Sequence, residues 1–248
     1  MVNVKITRPD VLKALMSGMQ EFTRDIKFKF EDGHMKSSFM ATGNFAAVFF
    51  DLYPSCVSIK GEDSVFLESK DFSSTVRFAD EKNPLTFETE SMKGRVIVNI
   101  GVKKRFELPI VQETDDYHTP SKEHILTLPV LCELDVAMLK DAISTVLAIT
   151  KETTIEFSIK DKMLRLSAWS VNKKSVVDLK SSEYPDNILM KCNSDFVLSF
   201  LRCGAGCDKV SLRFGHNTPL ELEFTGKDVL MQDNFKAWMI LGAIVDND

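Results

Sequence analysis

Three thiols crowd the last third of this sequence: Cys192, Cys203 and Cys207, the last two four residues apart. Thiolates gathered in that way are the donors a soft ion such as zinc would take. Their spacing matches no standard zinc pattern, however, and small thiols in a packed interior explain it better. With Cys56 and Cys132 the cysteines number 5, an odd and scattered set that points to reduced thiols rather than a disulfide framework. Asp115 and Asp116 are neighbours that could be drawn as an acid/base pair. Adjacent carboxylates in a polar connector lack the fixed geometry and desolvation that such work needs.

The four histidines, His34, His118, His124 and His216, fall in turns or in that connector, where a surface role is the ordinary expectation. There is no G-x-G-x-x-G, no G-x-x-x-x-G-K-[ST], no G-x-S-x-G and no H-E-x-x-H. The sequence therefore predicts no catalytic residue, no metal site and no cofactor. A nucleic-acid enzyme would need a carboxylate cluster on rigid elements, and none is found. Shape and surface are left to carry the function.

The chain of 248 residues can bury one large core or two modest ones. Its 44% hydrophobic and 27% charged content is that of a soluble globular protein. No apolar run approaches the roughly 20 residues of a bilayer span, and "MVNVKITRPD" reads as no secretory signal. The expectation is a protein that is not secreted: cytoplasmic, at the nucleoid, in a prokaryote or archaeon, and nuclear in a eukaryote. A net charge of −5 announces no nucleic-acid partner. Binding depends on where basic residues cluster, so the balance excludes none.

The elements repeat. In "VLKALMSGMQEFTRDIKFKF" the residues Leu12, Leu15, Met16, Met19 and Phe22 have helical spacing, then Ile26, Phe28 and Phe30 alternate as in a strand. In "MLKDAISTVLAITKETTIEF" the same design uses Leu139, Ile143, Val146 and Ile149, then Ile155 and Phe157. Leu12, Lys13, Ser17, Thr23 and Phe30 match Leu139, Lys140, Ser144, Thr150 and Phe157 on one ungapped register. Each half continues with a short helix, opened by Ser69 or Asn193 as N-cap, and a hairpin over residues 83–100 or 207–224. Residues 1–110 and 127–248 thus read as two similar domains, joined by a polar connector at 111–126.

Opposite the apolar stripes runs a sparse polar line. Lys13, Ser17, Gln20 and Arg24 form it on the first helix, with Lys140, Ser144 and Lys151 on its repeat. The short helices carry Lys70, Ser74 and Arg77, and Asp195, Ser199 and Arg202. Exposed lysines and arginines are ordinarily just solvated. Four helices sharing the feature in an acidic protein suggest a common basic surface. It would touch phosphates without reading bases, weakly and with strong salt sensitivity.

Taken together, "RFELPIVQ" before the connector, "VSLRFGHNTPLELEF" near the end, the paired "LK" helices and the connector's position resemble the sliding clamps of the proliferating cell nuclear antigen (PCNA) family, over essentially the whole chain. The resemblance implies an α+β DNA clamp fold, with two similar domains that each pack two helices on antiparallel sheets. It also implies that three subunits, self or sister chains, close into a six-domain ring around duplex DNA. The function implied is that of a processivity factor, opened by a clamp loader, which tethers DNA polymerase, nuclease and ligase through short clamp-binding motifs. The alternative is a checkpoint-type clamp or interaction scaffold of the same fold, from which the basic line would be missing.

By position, the resemblance assigns Lys13, Arg24, Lys70, Arg77, Lys140, Lys151 and Arg202 to the DNA-facing wall. It assigns Met40, Ala47, Tyr117, Pro219, Ile240, Leu241 and Gly242 to the partner-peptide pocket. Here the tail reads Ile-Leu-Gly where the family usually has Leu-Ala-Pro, so a reshaped pocket is expected. The strands "KRFELPIV" and "SVVDLK" would leave Phe106, Leu108, Ile110, Val176, Val177 and Leu179 on unprotected edges. Pairing them head to tail between subunits would cover both.

Overall fold

Asp32 and Gly33 both hold positive φ, 52° and 76°, and Glu31 pairs with His34 across them. Such a two-residue turn follows the twist of the strands it joins, and glycine takes its second position without steric cost. The computed structural model describes residues 1–41, 43, 45–113, 119–120, 128–204, 206–227 and 233–244. The chain divides into two compact units. One comprises Met1–Ser121, Arg202–Gly206 and Thr225–Trp238, and the other Lys122–Leu201, Cys207–Phe224 and Met239–Asp248.

The first unit contains β1 (Asn3–Ile6), α1 (Pro9–Met19), β2 (Asp25–Glu31), β3 (His34–Met40), β4 (Ala46–Leu52), β5 (Val57–Lys60) and β6 (Asp63–Glu68). It continues with α2 (Ser69–Val76), β7 (Leu85–Glu90), β8 (Arg95–Ile100) and β9 (Lys104–Pro109). One sheet has the order β5-β1-β7-β8-β9, and the other strands run β4-β3-β2-β6. Alternation of apolar residues explains the pairing: Phe28 and Phe30 of β2 point inward while Lys27 and Lys29 point out. Phe72 of α2 meets Phe28 at 5.0 Å and Phe87 of β7 at 6.1 Å between ring centroids, so one aromatic side chain ties the helix to both sheets.

The second unit contains β10 (Val130–Asp135), α3 (Val136–Thr150), β11 (Thr154–Lys160), β12 (Met163–Ser170), β13 (Lys173–Ser181), β14 (Ile188–Asn193) and α4 (Ser194–Leu201). It goes on with β15 (Lys209–Phe214) and β16 (Leu220–Lys227), and β17 (Asp233–Leu241) follows in the chain. Its sheet orders are β13-β12-β11-β14 and β10-β15-β16. Phe157 of β11 lies 6.2 Å from Phe214 of β15, and Phe200 of α4 stacks on Phe224 of β16 at 5.3 Å. Two helices and antiparallel strands in each unit make the fold α+β. Among the described residues no helix is long and apolar enough to cross a membrane.

Several local expectations need correction. The first helix stops at Met19, so Phe22 and Arg24 lie beyond it. Glu21 and Phe22 donate their N–H groups to the Gly18 and Met19 carbonyls, at 3.1 and 3.0 Å. These shorter loops tighten and end the helix after its glycine. Ser69 is not an N-cap but the first helical residue, and its hydroxyl donates to the Thr23 carbonyl at 2.6 Å. Asn193 does cap: its side-chain oxygen accepts the Asp195 N–H at 2.8 Å. On α3 the inward stripe passes through Thr150, 5% exposed, and leaves Ile149 48% exposed.

The repeat also slips. The helices start 127 residues apart, at Pro9 and Val136, but the hairpin turns after them, Asp32-Gly33 and Asp161-Lys162, lie 129 apart. The longer α3 and its left-handed cap at Lys151 account for the change. Leu12, Lys13 and Ser17 therefore match their partners in structure. Thr23 and Thr150 do not: the first sits in a loop and the second ends a helix.

Candidate nucleic-acid interface and sheet edges

The predicted basic residues lie on or beside helices in both units. Lys13 on α1 and Lys140 on α3 are half-buried, while Arg24, Lys70, Arg77, Lys151 and Arg202 are exposed. Among the described residues no carboxylate pairs with Arg24, Lys70, Lys140 or Lys151. Lys13 adds its field to the Asn83 hydrogen bonds that hold the Asp80 carboxyl below its usual range. Arg202 differs, because Glu21 takes its guanidinium at 3.6 Å. Two hydroxyls of the predicted lines are also spent locally: Ser17 donates to the Ala14 carbonyl and Ser144 to that of Lys140, both at 2.8 Å.

Strands β9 and β13 each stand last in their sheet. The Ile110 N–H donates to the Gly94 carbonyl at 2.8 Å, which sets the hydrogen-bonding phase along β9. The N–H groups of Lys104, Phe106 and Leu108 turn toward β8, and the backbone of Arg105, Glu107 and Pro109 faces the free side. Pro109, which has no N–H to offer, thus costs the sheet no bond. On β13 the register shifts beside Leu164 and Arg165, where Lys180 and Asp178 are their partners and Leu179 is the extra residue of a bulge. Sequence alternation gave no sign of it. Val176 is 46% exposed, Leu108 is buried, and Phe106, Ile110, Val177 and Leu179 are half-buried.

One feature of the β9 edge escaped the sequence reading. Phe78, just after α2 and 38% exposed, stacks on Phe106 with 5° between the ring planes. The Arg77 guanidinium and the Lys104 ammonium lie 4.7 and 4.8 Å from the centre of the Phe78 ring. Such placement favours a cation electrostatically, so Arg77 has an aromatic partner besides any phosphate. The signal was present in "VRF", an aromatic following a helix that had no apolar need for it.

The predicted partner-binding residues are placed as follows. Met40 and Ala47 face each other across the β3–β4 pair and are half-buried. Pro219 is half-buried in the turn before β16. Ile240 is half-buried and Leu241 buried at the end of β17, and Gly242 after it is exposed. Tyr117 lies outside the described residues, as do Asp115, Asp116, His118 and His124. Phe45, 64% exposed between Met40 and Ala47, was overlooked. Nearby in the same unit, Phe49 and Trp238 stack at 4.8 Å with Lys236 over the indole.

Among the described residues no three His, Cys, Asp or Glu side chains are placed to hold a metal ion. Cys192 and Cys203 are buried, and burial raises their thiol pKa values, that of Cys203 to about 12. The Cys203 thiol donates to the Leu15 carbonyl. Cys132 and Cys207, partly exposed, are pushed up to about 11 by the same cause. These are neutral thiols at neutral pH, unsuited to nucleophilic work.

No protein-family model matches the sequence, and no curated protein does. Solved structures do. A PCNA2–PCNA3 complex from Sulfolobus tokodaii matches with a TM-score of 0.81 at 18% identity, over 97% of this chain and 98% of that one. Proliferating cell nuclear antigen from Entamoeba histolytica gives 0.84 at 13% identity, over 98% and 99%. A. fulgidus PCNA, solved with the C-terminal region of FEN-1 bound, gives 0.82 at 16% identity over the whole of both chains. With its two-helix units, antiparallel sheets and near-complete superposition on these structures, the chain has the fold of the PCNA clamps.

Proposed function

We propose that this chain is one subunit of a ring-shaped sliding clamp, which encircles duplex DNA and tethers replication and repair enzymes to it. The observation that carries this reading is the likeness of fold over 97% to 100% of the chain to three PCNA structures. The basic helix faces support it. Lys70, Lys140 and Lys151 have no carboxylate partner among the described residues, and they come from both units. Sparse lysines give shallow, sequence-independent attraction to phosphates, which suits a protein that must hold DNA and still move along it. A closed ring would supply retention by linkage, so tight contact would be a hindrance.

The role is non-catalytic. Tethering would use short peptide segments of polymerases, nucleases and ligases, by analogy with the FEN-1 segment bound to A. fulgidus PCNA. Met40, Ala47, Tyr117, Pro219, Ile240, Leu241 and Gly242 are the residues proposed to receive them. A loader would be needed to open the ring, and the site of action would be the nucleoid or nucleus. Primer extension on a long single-primed template, with polymerase and loader from the same source, tests the reading. Adding the protein together with its ring partners should lengthen the products made in one binding event. Unchanged product length would refute it.

A further inference from the structure

The two units share a sheet plan but not every strand. In the first, the strand before the long helix, β1, lies between β5 and β7. In the second, its counterpart β10 stands last in its sheet and pairs with β15 alone among the described residues. The order β4-β3-β2-β6 recurs as β13-β12-β11-β14, so the place of β5, between β4 and β6 in the chain, falls to residues 182–187. That shorter stretch forms no strand. The Ser182 and Asn187 N–H groups donate to the Lys162 and Ile159 carbonyls at 2.8 and 3.0 Å, which ties the segment to the β11–β12 hairpin rather than to β10.

Beside the bare edge of β10 lies a cavity of about 530 Å³, whose lining includes Val130, Leu131, Ile159, Leu164, Lys180 and Tyr184. The Val136 N–H donates to the Asp208 carbonyl at 2.8 Å, a phase that turns the backbone of Leu131 and Glu133 to the free side. Two side chains reach across to it. The Tyr184 hydroxyl donates to the Leu131 carbonyl at 2.9 Å, and the Lys180 ammonium to the Glu133 carbonyl at 3.4 Å. The N–H groups of Leu131 and Glu133 meet no backbone acceptor among the described residues.

We infer that this edge accepts an extended segment of another protein, which adds to β10 as β5 adds to β1. The site lies wholly in the second unit and does not depend on the ring. The chain's own β5 indicates the chemistry. The Thr7 N–H donates to the Cys56 carbonyl at 2.9 Å, so Ser58 and Lys60 form hydrogen-bonded pairs with Lys5 and Asn3. Val57 is buried and Ile59 half-buried between them. The incoming segment likewise carries apolar residues at alternate positions to fill the cavity, and its backbone exchanges hydrogen bonds with Leu131 and Glu133. The rim holds both signs of charge, Lys180 against Glu133 and Glu183, so uncharged polar residues such as serine suit the outward positions. Tyr184 and Lys180 cover the two carbonyls until the segment's N–H groups replace them.

The probe is a synthetic peptide with the sequence of residues 55–62 and Cys56→Ser, added to the full chain. Binding should slow hydrogen exchange of the Leu131 and Glu133 amides about tenfold or more, saturably in peptide. The same peptide N-methylated at Ser58 and Lys60 cannot donate to β10 and should protect neither amide. Tyr184→Phe leaves the Leu131 carbonyl uncovered and should bind the peptide about two- to tenfold more tightly than the wild type. Amides left unprotected in both proteins, or protected equally by the methylated peptide, overturn the inference. Protection confined to β1, by exchange with β5, overturns it too. So does protection that rises with protein concentration without peptide, which would make a second copy of this chain the occupant.

Discussion

The rings of Phe78 and Phe106 lie parallel at 6.0 Å between centroids, and they tie the segment after α2 to the free edge strand β9. Both rings keep some solvent exposure. An aromatic pair of this kind contributes about 0.5–1.5 kcal/mol beyond the area it buries. Phe106→Ala should therefore lower unfolding stability by about 1–2 kcal/mol in urea titration, while weakening association through β9 more than that. An unchanged midpoint would mean that the stack does not persist in solution.

Phe72 sits at the other extreme, fully buried between both sheets of its unit. Truncating a buried phenylalanine costs about 3–5 kcal/mol, from lost transfer energy and the cavity left behind. Phe72→Ala should unfold the first unit well before the second in thermal scans, and Phe72→Leu should restore most of the loss. A loss below about 1 kcal/mol would contradict the packing.

Much of this fold was legible in the sequence because its cores obey simple periods. Phe28 and Phe30 alternate inward, and Leu139, Ile143 and Val146 form a helical stripe. What stayed hidden was set by tertiary choices. Phe22 has helical spacing from Met19, yet the chain tightens at Gly18 and delivers the ring to the core from a loop. Ser69 has the chemistry of a cap but finds a better acceptor in the Thr23 carbonyl, 46 residues earlier in the chain. The bulge at Leu179 and the Phe78 stack depend on neighbours far away in sequence, which no local pattern encodes. For the site, residue types marked the basic helices, but that Glu21 neutralises Arg202 is a fact of folding.

The Asp63 carboxylate gives a pH dependence with a definite sign. Burial alone would raise its pKa, but it accepts hydrogen bonds from Thr89, the Ser64 N–H and Ser91, and the N-terminal ammonium is 4.0 Å away. The net shift is downward. Its contribution to stability is therefore complete above the unfolded value of about 3.9, and is lost as pH falls from there through the lower folded value. Asp63→Asn should be less stable than the wild type at neutral pH, with the difference shrinking below about pH 4. A difference that persisted undiminished to low pH would assign the effect to packing instead.

The helices of the two units should act jointly on DNA. Replacing both Lys13 and Lys140 by Glu should weaken DNA association, and the salt slope should fall by about 1 for every phosphate no longer neutralised. Secondary structure should be unaffected, since neither side chain belongs to the buried core. Processive synthesis equal to wild type across a range of salt would show that these helices do not face DNA.

Linkage to DNA through a closed ring is the central claim, and one measurement addresses it directly. The protein and its ring partners are loaded onto closed circular DNA, the free protein is removed, and the circle is cut once with a restriction enzyme. Retention should be stable on the circle even at salt concentrations that abolish simple phosphate binding, and should vanish after the cut as the rings slide off the ends. Equal retention on cut and uncut DNA would contradict encirclement and leave ordinary electrostatic binding in its place.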